Sequence, residues 1–289
     1  MRIILMRQRR WRKLKIAAAS IALVLGALLV WGFVIEPDRL VVRPVTLNLP
    51  RWPAGMGELK LIALSDLHAG APHIDAEKLD DLIATVNARN PDVIVLLGDF
   101  VISGVPGGEY TEPAIAVGKL AGLRARHGVF AVLGNHDWME DGPGVMLTLQ
   151  NAGIRVLENE VTAISHNGRN LWLVGLADLW FRRPDVTGSL AKVTDDGPVI
   201  VLTHNPDVFP TIPARVALTL AGHTHGGQVN LPFLGRLVVP SQYGARYAIG
   251  HIIEDDRHLY VTPGIGTSIL PVRFLVPPEI SVLTLKGRN

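Results

Sequence analysis

Five short stretches of this 289-residue chain bring histidine, aspartate and asparagine together at spacings that could do chemistry. They are Asp66-Leu67-His68, Gly98-Asp99, Gly134-Asn135-His136-Asp137, Thr203-His204-Asn205 and Gly222-His223-Thr224-His225. Carboxylate, imidazole and amide oxygen without thiolate suit borderline to hard divalent ions such as Mn, Fe or Zn. Asp66 and His68 sit on alternate residues where a strand ends, so both can reach one ion. His223 and His225 stand on a glycine-bordered turn, AGHTHGG, and can direct two imidazoles to two neighbouring ions. Asp66, His68, Asp99, Asn135, His204, His223 and His225 are too many ligands for one ion of ordinary coordination. They suit two ions that share a carboxylate. Such a pair clamps a phosphoryl group, lowers the pKa of the water between the ions and steadies the leaving oxygen. Two dications set against Asp66, Asp99 and a bridging hydroxide leave the site slightly positive, which favours an anionic substrate.

The elements that must position these residues are legible as a repeated pattern. Leu59 to Leu64, Val93 to Leu97, Val129 to Leu133, Val199 to Leu202 and Arg215 to Leu220 are short apolar runs rich in branched residues, the mark of buried strands. Each is followed at once by one of the five polar stretches. In an open α/β sheet ligands bind outside the carboxyl ends of the strands, so the five stretches should converge on one site. Between them, Asp75 can cap a helix whose Leu79, Leu82, Ile83 and Val86 share one face, and Asn90-Pro91 stops it. A second helix is expected before Val129. Val161 to Ile164 should pair with Leu171 to Leu176 across the Asn167-Gly168 turn.

The front of the chain has a different character. Arg2, Arg7, Arg9, Arg10, Arg12, Lys13 and Lys15 crowd the first fifteen residues with no acid among them. Ile16 to Ile35 then runs without a charge, long enough as a helix to span the roughly 30 Å core of a bilayer. Trp11 and Trp31 fall near its ends, where indoles prefer the interface. A cleaved signal peptide is the competing reading, but the apolar run is long for that and no clear A-x-A site follows. Arg9-Arg10 followed by Trp11-Arg12-Lys13 is a poor match to a twin-arginine signal. The cation excess before the span predicts a single-pass inner-membrane protein with a cytoplasmic N-terminus and an extracytoplasmic remainder. The expected organisation is a basic tail over 1–15, an anchor over 16–35, a Pro-rich linker with one strand over 36–58, and a catalytic domain over 59–289. Charged residues make up 19% and the net charge is only +2, which excludes disorder and gives no basic surface for nucleic acid. With no cysteine, disulfides and thiolate metal sites are excluded.

The set D-x-H, G-D, G-N-H-D, a lone strand-end histidine and G-H-x-H, in that order over roughly 59–228, resembles the calcineurin-like metallophosphoesterases. The later YVTPGIG (Tyr260 to Gly266) and PVRFLVPPEISVLTL (Pro271 to Leu285) look like the tail of the membrane-anchored bacterial YkuE/YaeI-like branch. The resemblance implies a four-layered α/β/β/α sandwich and two divalent ions, manganese among the candidates. It implies Asp66, His68 and His225 on the first ion, Asn135, His204 and His223 on the second, and Asp99 bridging both. His136 matches the family's catalytic histidine, placed to protonate the leaving oxygen or steady the transition state. Many members carry a carboxylate three residues after the bridging aspartate to orient that histidine; here the position is Ile102. Asp137 could take over that task, or could only cap the following turn.

The function implied is a membrane-tethered phosphodiesterase or pyrophosphatase with a metal-bridging hydroxide as nucleophile. Its substrate would be a phosphoester, with lipid-linked ones in reach of the anchor. A UDP-2,3-diacylglucosamine-type lipid pyrophosphatase is the alternative, against which the topology argues because such lipids are made on the cytoplasmic face. A nuclease and a non-catalytic metal-bearing scaffold are further alternatives. Outside the motifs, His73 is either at the site mouth or simply exposed, and His166 is expected to face solvent. Arg273 either touches the substrate phosphate or pairs on the surface. The loop Trp180 to Arg183 either touches lipid headgroups or closes the edge of the core.

Overall fold

The computed structural model describes residues 2–287; Met1, Arg288 and Asn289 lie outside the described residues, as do the side chains of Arg2 and Arg9 from the basic cluster. A long apolar helix, α1 (Arg2–Val30), passes through a π-helical turn at Trp31–Ile35 into the domain. Over Arg10–Ile35 it is long and apolar enough to cross a membrane. Its large apolar side chains, Leu23 and Leu29 among them, are exposed rather than packed on the domain.

Two six-stranded sheets face each other. The first contains β1 (Val41–Leu49), β2 (Leu59–Leu64), β3 (Val93–Leu96), β4 (Val129–Ala131), β5 (Arg155–Val156) and β12 (Glu279–Gly287), in the order β1-β12-β2-β3-β4-β5. The second contains β6 (Glu160–His166), β7 (Arg169–Gly175), β8 (Val199–Leu202), β9 (Leu218–Ala221), β10 (Gly250–Glu254) and β11 (Arg257–Val261), in the order β10-β11-β9-β8-β7-β6. The strands that carry the polar stretches run parallel within each sheet: β2, β3 and β4 in the first, β8 and β9 in the second. Their carboxyl ends therefore share one rim.

Side-chain alternation builds the layers. On β2, Leu61 and Ala63 face the space between the sheets, with Val93, Val95, Leu171, Ile200, Leu202 and Leu220. Ile62 and Leu64 face the other way, onto Leu79, Leu82 and Val86 of α2 (Ala76–Asn87) and Val145 and Leu149 of α5 (Gly142–Asn151). Each of the Leu, Ile and Val side chains among these contributes roughly 1.5–3 kcal/mol by leaving water. The outer face of the second sheet is covered by Phe209, Ile212, Val216 and Tyr247. The expected α/β fold with two sheets and one N-terminal apolar helix is what the chain forms. The Asp75 cap is present, its carboxylate accepting from the Lys78 amide at 2.8 Å. The Asn167-Gly168 hairpin is also as read, with both residues at positive φ.

Three local expectations take more definite form in the structure. The helix expected before β4 is only one turn, α3 (Pro113–Ala116), followed by a 3-10 turn at Gly118–Gly122. Gly104, Gly107 and Gly108 leave that stretch without a continuous apolar face. The strand expected within 36–58 is β1, which pairs in parallel with β12 over nine residues, and Trp52 and Met56 beyond it are buried in the inter-sheet core. His166 is buried, not solvent-facing, with its Nε2 3.0 Å from the Glu58 carbonyl oxygen. With Asp92 and His127 it forms a third group of ligand type, at the opposite ends of the strands from the rim.

Candidate metal centre

The rim gathers every residue of the five stretches. Asp66 and His68 follow β2, Asp99 follows β3, Asn135 and His136 open α4 (Asn135–Glu140) after β4, His204 follows β8, and His223 and His225 follow β9. All but His136 are buried; His136 is half-buried at the mouth. Glycine makes the approach feasible. A Cβ on Gly134 would sit 2.2 Å from Asp99 Oδ1, and one on Gly222 would sit 1.9 Å from Ser65 Oγ. The backbone at Asp66, His68, Asp99, His223 and His225 is left-handed, with φ between 50° and 69°. These are non-glycine residues that the surrounding hydrogen bonds hold in a costly conformation.

The side chains fall into two clusters, Asp66-His68-His225 and Asp99-His204-His223. In the first, His68 Nε2 lies 3.0 Å from His225 Nε2, and His225 Nε2 lies 3.4 Å from Asp66 Oδ1. In the second, His204 Nε2 lies 3.1 Å from both Asn135 Oδ1 and His223 Nδ1. One oxygen connects them: Asp99 Oδ2 is 3.6 Å from His68 Nε2 and 3.2 Å from His204 Nε2. His204 Nδ1 is 2.7 Å from the Leu97 carbonyl oxygen, so its N–H donates there and its Nε2 faces the cluster. That is the usual outer support of a metal-binding imidazole. Buried lone pairs converging at these distances fit divalent ions, and the donor set of oxygen and imidazole nitrogen fits Mn, Fe or Zn.

Charge in the metal-free chain supports this. Burial pushes His68 and His223 down to about 3 and His225 well below its usual value, so these rings are neutral acceptors. Burial likewise pushes Asp66 up to about 6. His204 differs: burial alone would lower it, but the Asp99 and Asp66 carboxylates hold it up at about 10. With a folded value above the ordinary 6.5, its proton stabilises the metal-free fold below pH 6.5, and that stabilisation is lost as pH rises through about 10. An ion taking Nε2 must displace this proton. Calorimetric metal titration near pH 7 in buffers of different ionisation enthalpy should register roughly one proton released per chain; no release would remove His204 from the ligand set.

Neither alternative for Asp137 matches its place fully. It does not reach the His136 ring. One oxygen accepts from the amides of Asp99 and Gly134, each at 2.8 Å, and the other from Phe100 at 2.7 Å. Asp137 thus caps α4 and clamps the turn that carries Asp99. Asp137→Ala would orphan three buried amides at about 1–3 kcal/mol each, so a fall of at least about 3 kcal/mol in urea-denaturation stability is expected. Asparagine should rescue only partly, since its NH2 faces amide donors. Wild-type stability in the alanine variant would refute the clamp. His136 is held instead by its backbone N–H, which donates to Asp99 Oδ1 at 2.8 Å, and by its ring, edge-on to His68 at 5.0 Å.

Arg273 neither meets a phosphate nor pairs on the surface. It is fully buried and donates to the carbonyls of Pro263, Gly266 and Val276. It thereby fixes the loop after β11, whose Gly266 amide donates to the Asp66 carbonyl at 2.6 Å. His73 is turned toward the front of the chain: its Nε2 is 3.0 Å from the Phe33 carbonyl oxygen in the π-helical turn after α1. The Trp180 loop does reach the site. The Trp180 ring stands edge-on to His223 at 4.5 Å, and Arg182 lies 4.6 Å from the Trp138 ring centre. Nothing in the residue pattern after β7 marks that wall; the Asp178 carboxylate, accepting from the amides of Trp180 and Phe181, bends the loop inward.

The Calcineurin-like phosphoesterase family profile matches residues 59–236. The chain is 34% identical over 276 residues to the metallophosphoesterase YkuE of Bacillus subtilis, covering 94% of this chain and 95% of that protein. It is 33% identical over 231 residues to the phosphodiesterase YaeI of Escherichia coli, covering 78% of this chain and 82% of that one. A zebrafish transmembrane protein with a metallophosphoesterase domain is 32% identical over 282 residues, covering 92% of this chain and 62% of its own length. With two ligand clusters at one rim and these relatives along nearly its whole length, the chain belongs to the calcineurin-like metallophosphoesterases, in the branch that YkuE and YaeI represent.

Proposed function

We propose that the chain is a binuclear phosphodiesterase or pyrophosphatase tethered to the inner membrane by α1, with a cytoplasmic N-terminus and its catalytic domain outside. The observation that carries the binuclear reading is the single oxygen, Asp99 Oδ2, standing between two buried histidine clusters. Asp66, His68 and His225 would hold one ion, Asn135, His204 and His223 the other. The ions would supply charge neutralisation at the phosphoryl oxygens and an activated water at neutral pH. The protein's own part follows from position. His136, half-buried at the mouth beside His68, is placed to give a proton to the leaving oxygen. Trp180 walls the His223 side and narrows access. The name of YaeI supports the diester reading, and the exposed apolar α1 supports the tether.

The test is turnover by the purified, Mn-loaded full chain in detergent. An aryl phosphodiester, its monoester and a lipid-linked pyrophosphate such as UDP-2,3-diacylglucosamine are compared side by side. Cleavage of the diester or pyrophosphate in preference to the monoester is expected. Monoester preference would overturn the assignment, and no turnover with two ions bound would favour a metal-bearing scaffold.

A further inference from the structure

Two loops beside the metal centre expose large apolar side chains that the domain does not cover: Phe233, Leu234, Leu237 and Val238 on one, Ile269 and Leu275 on the other. Apolar surface of that kind marks an interaction site, not an ordinary solvated face. The two loops form one body. Phe274 N–H donates to the Gln228 carbonyl at 2.9 Å, Asn230 N–H donates to the Phe274 carbonyl at 2.9 Å, and the Gln228 side chain donates to the Leu270 carbonyl at 3.2 Å. The tip carrying Phe233 closes on itself, Leu231 and Gly235 exchanging both backbone hydrogen bonds.

What covers this surface is indicated by what the loops are tied to. Arg273 N–H donates to the Gly32 carbonyl at 2.9 Å, and Leu275 N–H donates to the buried Glu36 carboxylate at 2.9 Å. A Cβ on Gly32 would already touch Val272 and Phe274. The loops are thus fastened to the π-helical turn that continues α1 and to Glu36 just beyond it, at the point where the apolar helix ends. Charge fits the same surroundings. The stretch 229–239 holds one charge, Arg236, and 267–275 holds one, the buried Arg273; neither contains an acid. Arg236 in turn donates to the Gly226 carbonyl at 2.8 Å, one residue from His225.

We propose that the loops 229–239 and 268–275 form an interfacial surface that enters the headgroup–acyl boundary of the leaflet from which α1 emerges. Amphipathic surfaces of this kind bury their apolar side roughly 5–10 Å into that boundary. The fit seats the metal centre's mouth at the level of lipid phosphates, so its substrate class is a phosphoester of an amphiphile residing in that leaflet. This rests on the membrane-tethered reading above.

The chain has no cysteine, so single-cysteine reporters can be placed without background. Full-length F233C, L237C and I269C, each carrying an environment-sensitive fluorophore, are reconstituted in phosphatidylglycerol–phosphatidylcholine nanodiscs containing spin-labelled lipid. L25C in α1 and L147C on α5 serve as references; metal content checks that each variant is folded. Quenching of the 233, 237 and 269 labels by shallow spin-labelled lipid is expected, with Leu25 quenched by deep lipid and Leu147 unquenched. Labels at 233, 237 and 269 as unquenched as Leu147, beside a quenched Leu25, would overturn the surface and leave the tether standing. An unquenched Leu25 would overturn both. Turnover of the soluble diester by the wild-type chain reports separately on the catalytic reading.

Discussion

Asp99→Asn should leave a folded chain that hydrolyses phosphodiesters far more slowly and holds fewer than two ions. Three features of Asp99 converge on that result. Its Oδ2 stands within 3.6 Å of a nitrogen from each cluster, so both sites lose an anionic ligand at once. Its Oδ1 accepts the His136 amide, so the mouth loses an anchor. Only Asp66 would remain to balance four positive charges. Disturbing a residue merely behind a metal ligand already costs about 10–100-fold, so the loss here should exceed about a hundredfold. Metal content by mass spectrometry, measured with kcat, checks both halves. A variant that kept two ions and wild-type turnover would sink the shared-carboxylate site.

His136→Ala should separate chemistry from metal binding. The ring belongs to neither cluster, so ion content and stability should match the wild type. Removing a proton donor from the leaving oxygen is expected to lower kcat by about 10²–10⁴-fold. The loss should shrink with an aryl diester of good leaving group and grow with an alkyl one, because a stabilised leaving oxygen needs less protonation. Equal losses for both substrates would mean that His136 positions rather than protonates. Loss of an ion would move it into the ligand set.

Much of this centre was legible because strand ends are local features. An apolar run followed at once by Asp, Asn or His can be read within ten residues, and the parallel strands bring five such ends to one rim. What stayed hidden was non-local. The pairing of β1 with β12 joins segments more than two hundred residues apart, and nothing in Val41–Leu49 alone names the strand it pairs with. Arg273 read as either a phosphate contact or a surface ion pair, because its carbonyl partners are set by how three loops fold back. Asp137 follows His136 directly, which suggested either a partner for that ring or a cap for the following turn. Its actual partners are amides of the neighbouring strand end, and only the packing of β3 against β4 supplies them.

The five left-handed residues of the rim carry an evolutionary consequence. A non-glycine residue held at such φ costs roughly 1–3 kcal/mol, and a glycine in its place would relax it. Selection for stability and selection for turnover therefore pull in opposite directions at Asp66, His68, Asp99, His223 and His225. A lineage with no further use for the centre would gain by drifting at these positions first. Glycine at any of the five would trade a ligand of the centre for a more relaxed backbone.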